Sequence, residues 1–153
     1  MKIIYKEGDV LDCTEDAIVH GCNAQGVMGS GVAKAIKERY PEAYKAYIAS
    51  IPLGGMELGR ITFHRNEQGF YVFNAITQKY YGRDKSVIYV NYNAIKESFD
   101  LLNKFCSEEG ISHIALPKIG AGLANGDWSI IEKIIEEECT DVQPVVYILK
   151  EQE

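Results

Sequence analysis

A layered α/β fold around a largely parallel sheet is what this 153-residue sequence predicts, on three observations. Short apolar, β-rich runs alternate with stretches whose apolar residues recur at helical spacing. Two of those runs, ending at His20 and at Pro117, lead through glycines straight into a helix. The hydrophobic fraction, 46%, is that of an ordinary globular protein, and the length suits one domain over residues 1–153.

Taken in order, Ile3-Ile4-Tyr5 reads as a first strand stopped by Glu7-Gly8-Asp9. Residues 11–16 are a polar connection, and Ala17-Ile18-Val19 is a buried strand. Val32, Ile36 and Tyr40 mark a helix from Ser30 to about Arg39, because Pro41 disfavours helix in the residue before it. Pro41 suits the start of a second helix over 42–50, and Pro52-Leu53-Gly54-Gly55 breaks the chain. Residues 60–64 and 70–76 form a hairpin, with His64 turned to solvent. Residues 78–85, with Tyr80 and Tyr81, form a loop leaving a strand end. Ile95, Phe99, Leu102 and Cys106 place a helix over about 88–109, closed by Gly110. His113-Ile114-Ala115-Leu116 is a buried strand with a structural histidine at its edge. The stripe Ile130, Ile131, Ile134, Ile135 is a helix starting at Asp127 or at Ser129, which is spaced from Glu132 as a capping box. Val145-Val146-Tyr147-Ile148-Leu149 is the last strand, and residues 150–153 are a solvated tail.

Composition removes several function classes. The formal net charge is −6 with no dense Lys/Arg cluster, which argues against a nucleic-acid duplex as partner. Cys13, Cys22, Cys106 and Cys139 form no CxxC pair, and His20, His64 and His113 form no HExxH, so no metal, cofactor or disulfide framework is expected. The first residues are too few and too polar for a signal peptide, and no apolar run nears the ~20 residues of a membrane span. A stand-alone cytoplasmic protein with no membrane partner is the expectation. Neither a Walker A pattern nor a GxGxxG with its acidic partner is present, which counts against nucleoside-triphosphate hydrolysis and hydride transfer.

What remains is the pair of glycine-rich loops. The first carries Gly21, Gly26, Gly29 and Gly31, the second Gly120, Gly122 and Gly126. Glycine lets backbone N–H groups approach a ligand, and the first turn of a helix leaves its N–H groups unpaired at the positive end of the dipole. That combination holds phosphate without Lys or Arg. In a parallel sheet both loops open into the crevice at the strands' carboxyl ends, so two cradles suit a diphosphate. Asp9 is either a turn residue bonding its own backbone or a carboxylate accepting a ligand's N–H groups. His20 is either a strand-end histidine satisfied internally or a general acid with a pKa near ~6.5.

With both loops in view the chain resembles the macro domain family, whose members bind ADP-ribose. The resemblance runs from Gly8-Asp9-Val10 to the last strand and is carried by Asn23, Gly29-Ser30-Gly31-Val32-Ala33 and Ile119-Gly120-Ala121-Gly122-Leu123. It implies a three-layer α/β/α domain with a mixed, mostly parallel sheet. It also implies that Asp9, beside Val10, accepts from the adenine amine, that loops 29–33 and 119–125 (Ala124 and Asn125 included) cradle the diphosphate, and that Asn23 lies near the distal ribose. Within the family, His20-Gly21-Cys22-Asn23 resembles the yeast-type ADP-ribose 1″-phosphate phosphatases, which assign the histidine to the active site. On that resemblance His20 and Asn23 are the expected catalytic residues and ADP-ribose and its 1″-phosphate the expected partners. Related glutamyl-ADP-ribose hydrolases use a lysine and an aspartate where Tyr89 and Ala124 are expected to fall, which counts against that activity. A non-catalytic ADP-ribose reader, and a hydrolase removing ADP-ribosyl groups from macromolecules, are the alternatives.

Overall fold

The computed structural model describes residues 1–50 and 57–150, so the expected break at Pro52-Leu53-Gly54-Gly55 and the end of the tail lie outside the described residues. Among the described residues six strands and four α-helices follow one another: β1 (Ile4–Glu7), β2 (Ala17–Asn23), α1 (Gly31–Arg39), α2 (Pro41–Ala49), β3 (Ile61–Arg65), β4 (Tyr71–Gln78), α3 (Tyr92–Glu109), β5 (His113–Leu116), α4 (Trp128–Glu138) and β6 (Gln143–Ile148). A short 3-10 turn, Val10–Asp12, follows β1.

The strands form one sheet in the order β1-β6-β5-β2-β4-β3. Every neighbouring pair is parallel except the β3–β4 hairpin, so the sheet is mixed and mostly parallel. Parallel strands buried on both faces read as continuous apolar runs. β4 is buried from Tyr71 to Thr77, and Ala17, Ile18 and Val19 of β2 are fully buried. Side chains then alternate between two cores. Ala17, Val19, Phe73, Ile114 and Leu116 pack on Ile95, Phe99 and Leu102 of α3 and Ile131 and Ile135 of α4. Ile18, Val72 and Ala115 face the other way, onto Ile36 of α1 and Ala43 of α2. The result is helices on both faces of the sheet, the expected three-layer α/β/α arrangement.

Two boundaries differ from the sequence expectation for local reasons. α3 begins at Tyr92, not near Ile88, because the Asn91 side chain caps it by accepting from Ala94 N at 2.9 Å. Just before it, Val90 bridges Gln78 at the end of β4. α4 begins after Asp127, whose carboxylate accepts from Ser129 N and Ser129 Oγ, so Asp127 is the cap rather than Ser129. His64 is half-buried in β3 rather than turned fully to solvent.

The turn from α4 into β6 hangs on one buried side chain. Asn103 of α3 accepts from Asp141 N at 2.9 Å and Val142 N at 3.3 Å, and donates to Thr140 Oγ1 at 3.0 Å. Val142 is fully buried, so losing Asn103 strands its N–H. Asn103→Ala is expected to lower unfolding free energy by about 1–3 kcal/mol in urea titration; an unchanged midpoint would show that water replaces the amide.

Candidate ligand-binding cleft

β2 and β5 are neighbours in the sheet, with Ile18 opposite Ala115, so the loops leaving them emerge side by side at the same sheet end. Between them opens a cleft of about 640 Å³. The first loop lines it with Gly29, Ser30, Gly31, Val32 and Ala33, and the second with Ile119, Gly120, Gly122, Leu123 and Ala124. Thr77 and Gln78 at the end of β4, and Tyr81, Gly82 and Arg83 beyond it, close one side.

The two loops are built differently. In the first, Asn23 folds the chain back on itself: its Oδ1 accepts Gln25 N at 3.0 Å and Val27 N at 3.2 Å, while its Nδ2 donates to Val27 O at 2.8 Å. Tyr47, fully buried on α2, donates to the Asn23 carbonyl at 2.5 Å and accepts Gly26 N–H at 3.0 Å. Gly31, at φ +60°, then turns the chain into α1. Ser30 precedes that helix without a side-chain hydrogen bond to it, so the first turn keeps its orphan donors. In the second loop the helix end is already occupied by Asp127, and the loop offers its own amides instead. Here Gly120 and Gly126 serve the fold: a Cβ on Gly120 would come within 2.7 Å of Val90 Cγ2, and one on Gly126 would sit 2.6 Å from the Gly120 carbonyl oxygen. Gly122 is the opposite case, with nothing within 4 Å of a built Cβ. The N–H groups of Gly29, Ser30, Gly122 and Leu123 make no hydrogen bond among the described residues. These are donors aimed at nothing of the protein's own.

His20 and Asn23, the expected catalytic residues, both line the cleft, with their side chains engaged in internal hydrogen bonds. His20 sits in β2 on the α2 face, 1% exposed. Its Nε2 lies 2.6 Å from Asn74 Oδ1, and Asn74 donates its own amide to Ala43 O and Thr62 Oγ1. Asn74 Oδ1 therefore accepts, and His20 carries its proton on Nε2 as a neutral ring. Burial holds its pKa down at about 4 despite that hydrogen bond. Such a residue does not supply a proton near pH 7. Asn23 has its amide and carbonyl spent on the loop turn and on Tyr47. Cys22, also buried, is held protonated by the same desolvation.

Four of the expected ligand contacts lie outside the lining. Asp9 is exposed and accepts from Leu11 N at 2.9 Å, capping the 3-10 turn, and Val10 is buried beside Ile18 and Ile36. Ala121 does not face the cleft, and Asn125 turns its amide to Asp84 O and Val87 O. Tyr89, where a lysine was sought, lies behind the second loop with its N–H on Ala124 O at 2.8 Å. The residues that sequence reasoning missed are Gln78, Arg83 and Lys118, which line the cleft. No periodic signal marks them; only the end of β4 and the approach to the second loop do. All four cysteines are free thiols, and no cluster of three metal-ligating side chains occurs among the described residues. No helix among the described residues is long and apolar enough to cross a membrane.

A family model for the Macro domain matches residues 19–135. The chain belongs to the macro domain family. A DNA ADP-ribosyl glycohydrolase of Thermus aquaticus is 32% identical over 136 residues, covering 87% of this chain and 36% of that protein. An ADP-ribose glycohydrolase of Bos taurus is 26% identical, over 97% of this chain and 92% of its own length. An ADP-ribose 1″-phosphate phosphatase of Meyerozyma guilliermondii is 27% identical, over 89% and 93%. Among solved structures, the macrodomain of Thermus aquaticus DarG superposes with a TM-score of 0.82 at 29% identity, covering 95% of this chain and 97% of that one. This macro domain spans about two fifths of the length of the curated DNA ADP-ribosyl glycohydrolases it matches. The phosphatase branch is thus one of several that match at similar identity.

The buried imidazole fixes the sign of one pH effect. An unfolded chain protonates His20 near its ordinary pKa of 6.5, whereas the folded one resists until about 4. Its share of stability is therefore intact above 6.5 and drains away as pH falls towards 4, at up to about 1.4 kcal/mol per pH unit. His20→Gln, whose amide still donates to Asn74, should show a shallower decline in urea unfolding across that window. Parallel declines in the two proteins would contradict the neutral, buried assignment.

Proposed function

We propose that this macro domain binds ADP-ribose in the cleft between the two glycine-rich loops and hydrolyses a group from its distal ribose. ADP-ribose 1″-phosphate is the substrate that the lining residues favour. The observation that carries the binding is the set of unpartnered amides among the described residues on Gly29, Ser30, Gly122 and Leu123, two from each loop, on residues that line one cleft. Amides so placed, with the open end of α1 beside them, suit a diphosphate in a chain whose net charge is −6. The family membership and the hydrolases among the relatives support the same ligand.

The choice of bond follows from what lines the cleft. Among the described residues no Asp or Glu does so, which leaves the two-carboxylate route to glycosidic cleavage without members. Phosphoryl transfer asks mainly for positioning and for charge opposite the equatorial oxygens. Loop amides, with Lys118 at the entrance to the second loop, supply both. The step breaks the bond between phosphorus and the C1″ oxygen, with water as nucleophile, and yields ADP-ribose and inorganic phosphate. His20 has no part in it.

A non-catalytic ADP-ribose reader is the second reading. It is favoured by one observation, that the side chains of His20 and Asn23 are both consumed by internal hydrogen bonds.

Gly122→Val separates ligand contact from folding, because a side chain there meets no protein atom within 4 Å of its Cβ. It is expected to weaken ADP-ribose binding in calorimetry by ~tenfold or more, about 1.4 kcal/mol, with an unchanged Tm. Binding as tight as wild type would remove the second loop from the site. Free phosphate released from ADP-ribose 1″-phosphate decides between the two readings, and tight binding without release over hours leaves the reader.

A further inference from the structure

The segment between β4 and α3, residues 79–89, forms a strap along one side of the cleft, to which it contributes Tyr81, Gly82 and Arg83. Its charge runs against that of the chain. Lys79, Arg83 and Lys85 stand against one carboxylate, Asp84, in a protein of net charge −6. That carboxylate is already engaged, accepting from Ser86 N at 2.9 Å and Ser86 Oγ at 2.7 Å. All three cations are exposed, and like most cations of the chain none is in an ion pair among the described residues; what sets them apart is their place together beside the cleft.

The strap is fastened rather than loose. Asn125, at the end of the second glycine loop, donates both amide hydrogens to it, to Asp84 O at 3.1 Å and Val87 O at 2.8 Å. To do so it holds φ +60°, the one positive φ outside glycine among the described residues. Asparagine tolerates that region better than most residues, and here its short amide is what reaches the strap. Asp84 N donates to the Tyr89 hydroxyl at 3.2 Å, and Tyr89 N donates to Ala124 O at 2.8 Å, closing a ring of bonds through Asp84, the neighbour of Arg83. The amide cradle and the cationic strap are therefore held in fixed relation by the Asn125 side chain together with Tyr89.

We propose that the strap, positioned by Asn125, is an anion subsite that selects ADP-ribose derivatives carrying a phosphate beyond the diphosphate. This rests on the reading that the cleft holds ADP-ribose. The diphosphate is served by backbone amides of the two loops, which leaves Arg83 at the cleft wall uncommitted. Arginine offers a planar fork of donors matched to phosphate oxygens. Gln78, from which the strap leaves, lies opposite Asn23, the residue that the family resemblance sets near the distal ribose, so the shared chemistry is a phosphate attached on that side, either a terminal 1″-phosphate or the backbone of a nucleic-acid strand that bears the ADP-ribosyl group. Because the cations are exposed, the preference is screened by salt.

The test compares ADP-ribose with its non-hydrolysable 1″-phosphonate by calorimetry, at low and high salt, in wild type, Arg83→Gln and Asn125→Gly. Wild type is expected to prefer the phosphonate by about tenfold at low salt, and less at high salt. Arg83→Gln should bring that ratio towards one. Asn125→Gly should do the same with every cation still present and the left-handed backbone relaxed, and should also speed trypsin cleavage after Arg83 and Lys85. A ratio near one in wild type overturns the subsite. A ratio and protease resistance that survive Asn125→Gly overturn the positioning role. If an oligonucleotide bearing ADP-ribose gains affinity that Arg83→Gln removes, the phosphate is that of a strand; a gain confined to the phosphonate names the terminal group. No heat from ADP-ribose with wild type would instead defeat the cleft reading itself.

Discussion

Parallel pairing of β2 with β5 is the constraint from which the site follows. Two strands running side by side in one direction must release their chains at the same edge of the sheet. Whatever those connections are made of, they become neighbours. Here they are made of glycine, and the sheet turns two separate stretches of sequence, a hundred residues apart in rough terms, into opposing walls. The two cores secure that geometry, since each strand is gripped from above by α1 and α2 and from below by α3 and α4.

The walls are not equivalent, and the difference is chemical. The first ends in a helix whose leading donors are unclaimed, so it brings a dipole as well as amides. The second ends in a helix whose Asp127 has already claimed that position, so only the loop backbone is on offer. Glycines divide in the same spirit. Gly120 and Gly126 exist because Val90 and the chain itself leave no space for a Cβ, whereas Gly122 stands clear of protein. A composition count treats all three alike.

Much of the fold could be read from sequence because its causes are local: apolar runs for buried parallel strands, Pro41 for the division between α1 and α2, Gly110 at φ +73° for the end of α3. The glycine loops were legible for the same reason. What escaped was long-range. His20 could be read from sequence as internally satisfied or as a general acid, and only the register that sets it opposite Asn74 shows the partner that holds it. Nor could the sequence show that Asn23, at the cleft, is bonded to Tyr47, a helix away. Arg83 and Asn125 gained meaning only through each other, by hydrogen bonds that span some forty residues in rough terms and leave no periodic trace.

Tyr47 carries one more implication. Its ring is buried with Cys22, Met28 and Ile76, while its hydroxyl holds the turn that shapes the first loop. Removing a single oxygen there would keep the packing and untie the loop, so the grip on a guest is tunable from a place no guest touches. Divergence among homologues in what they hold need not be written in the surface that holds it; a hidden phenol is enough.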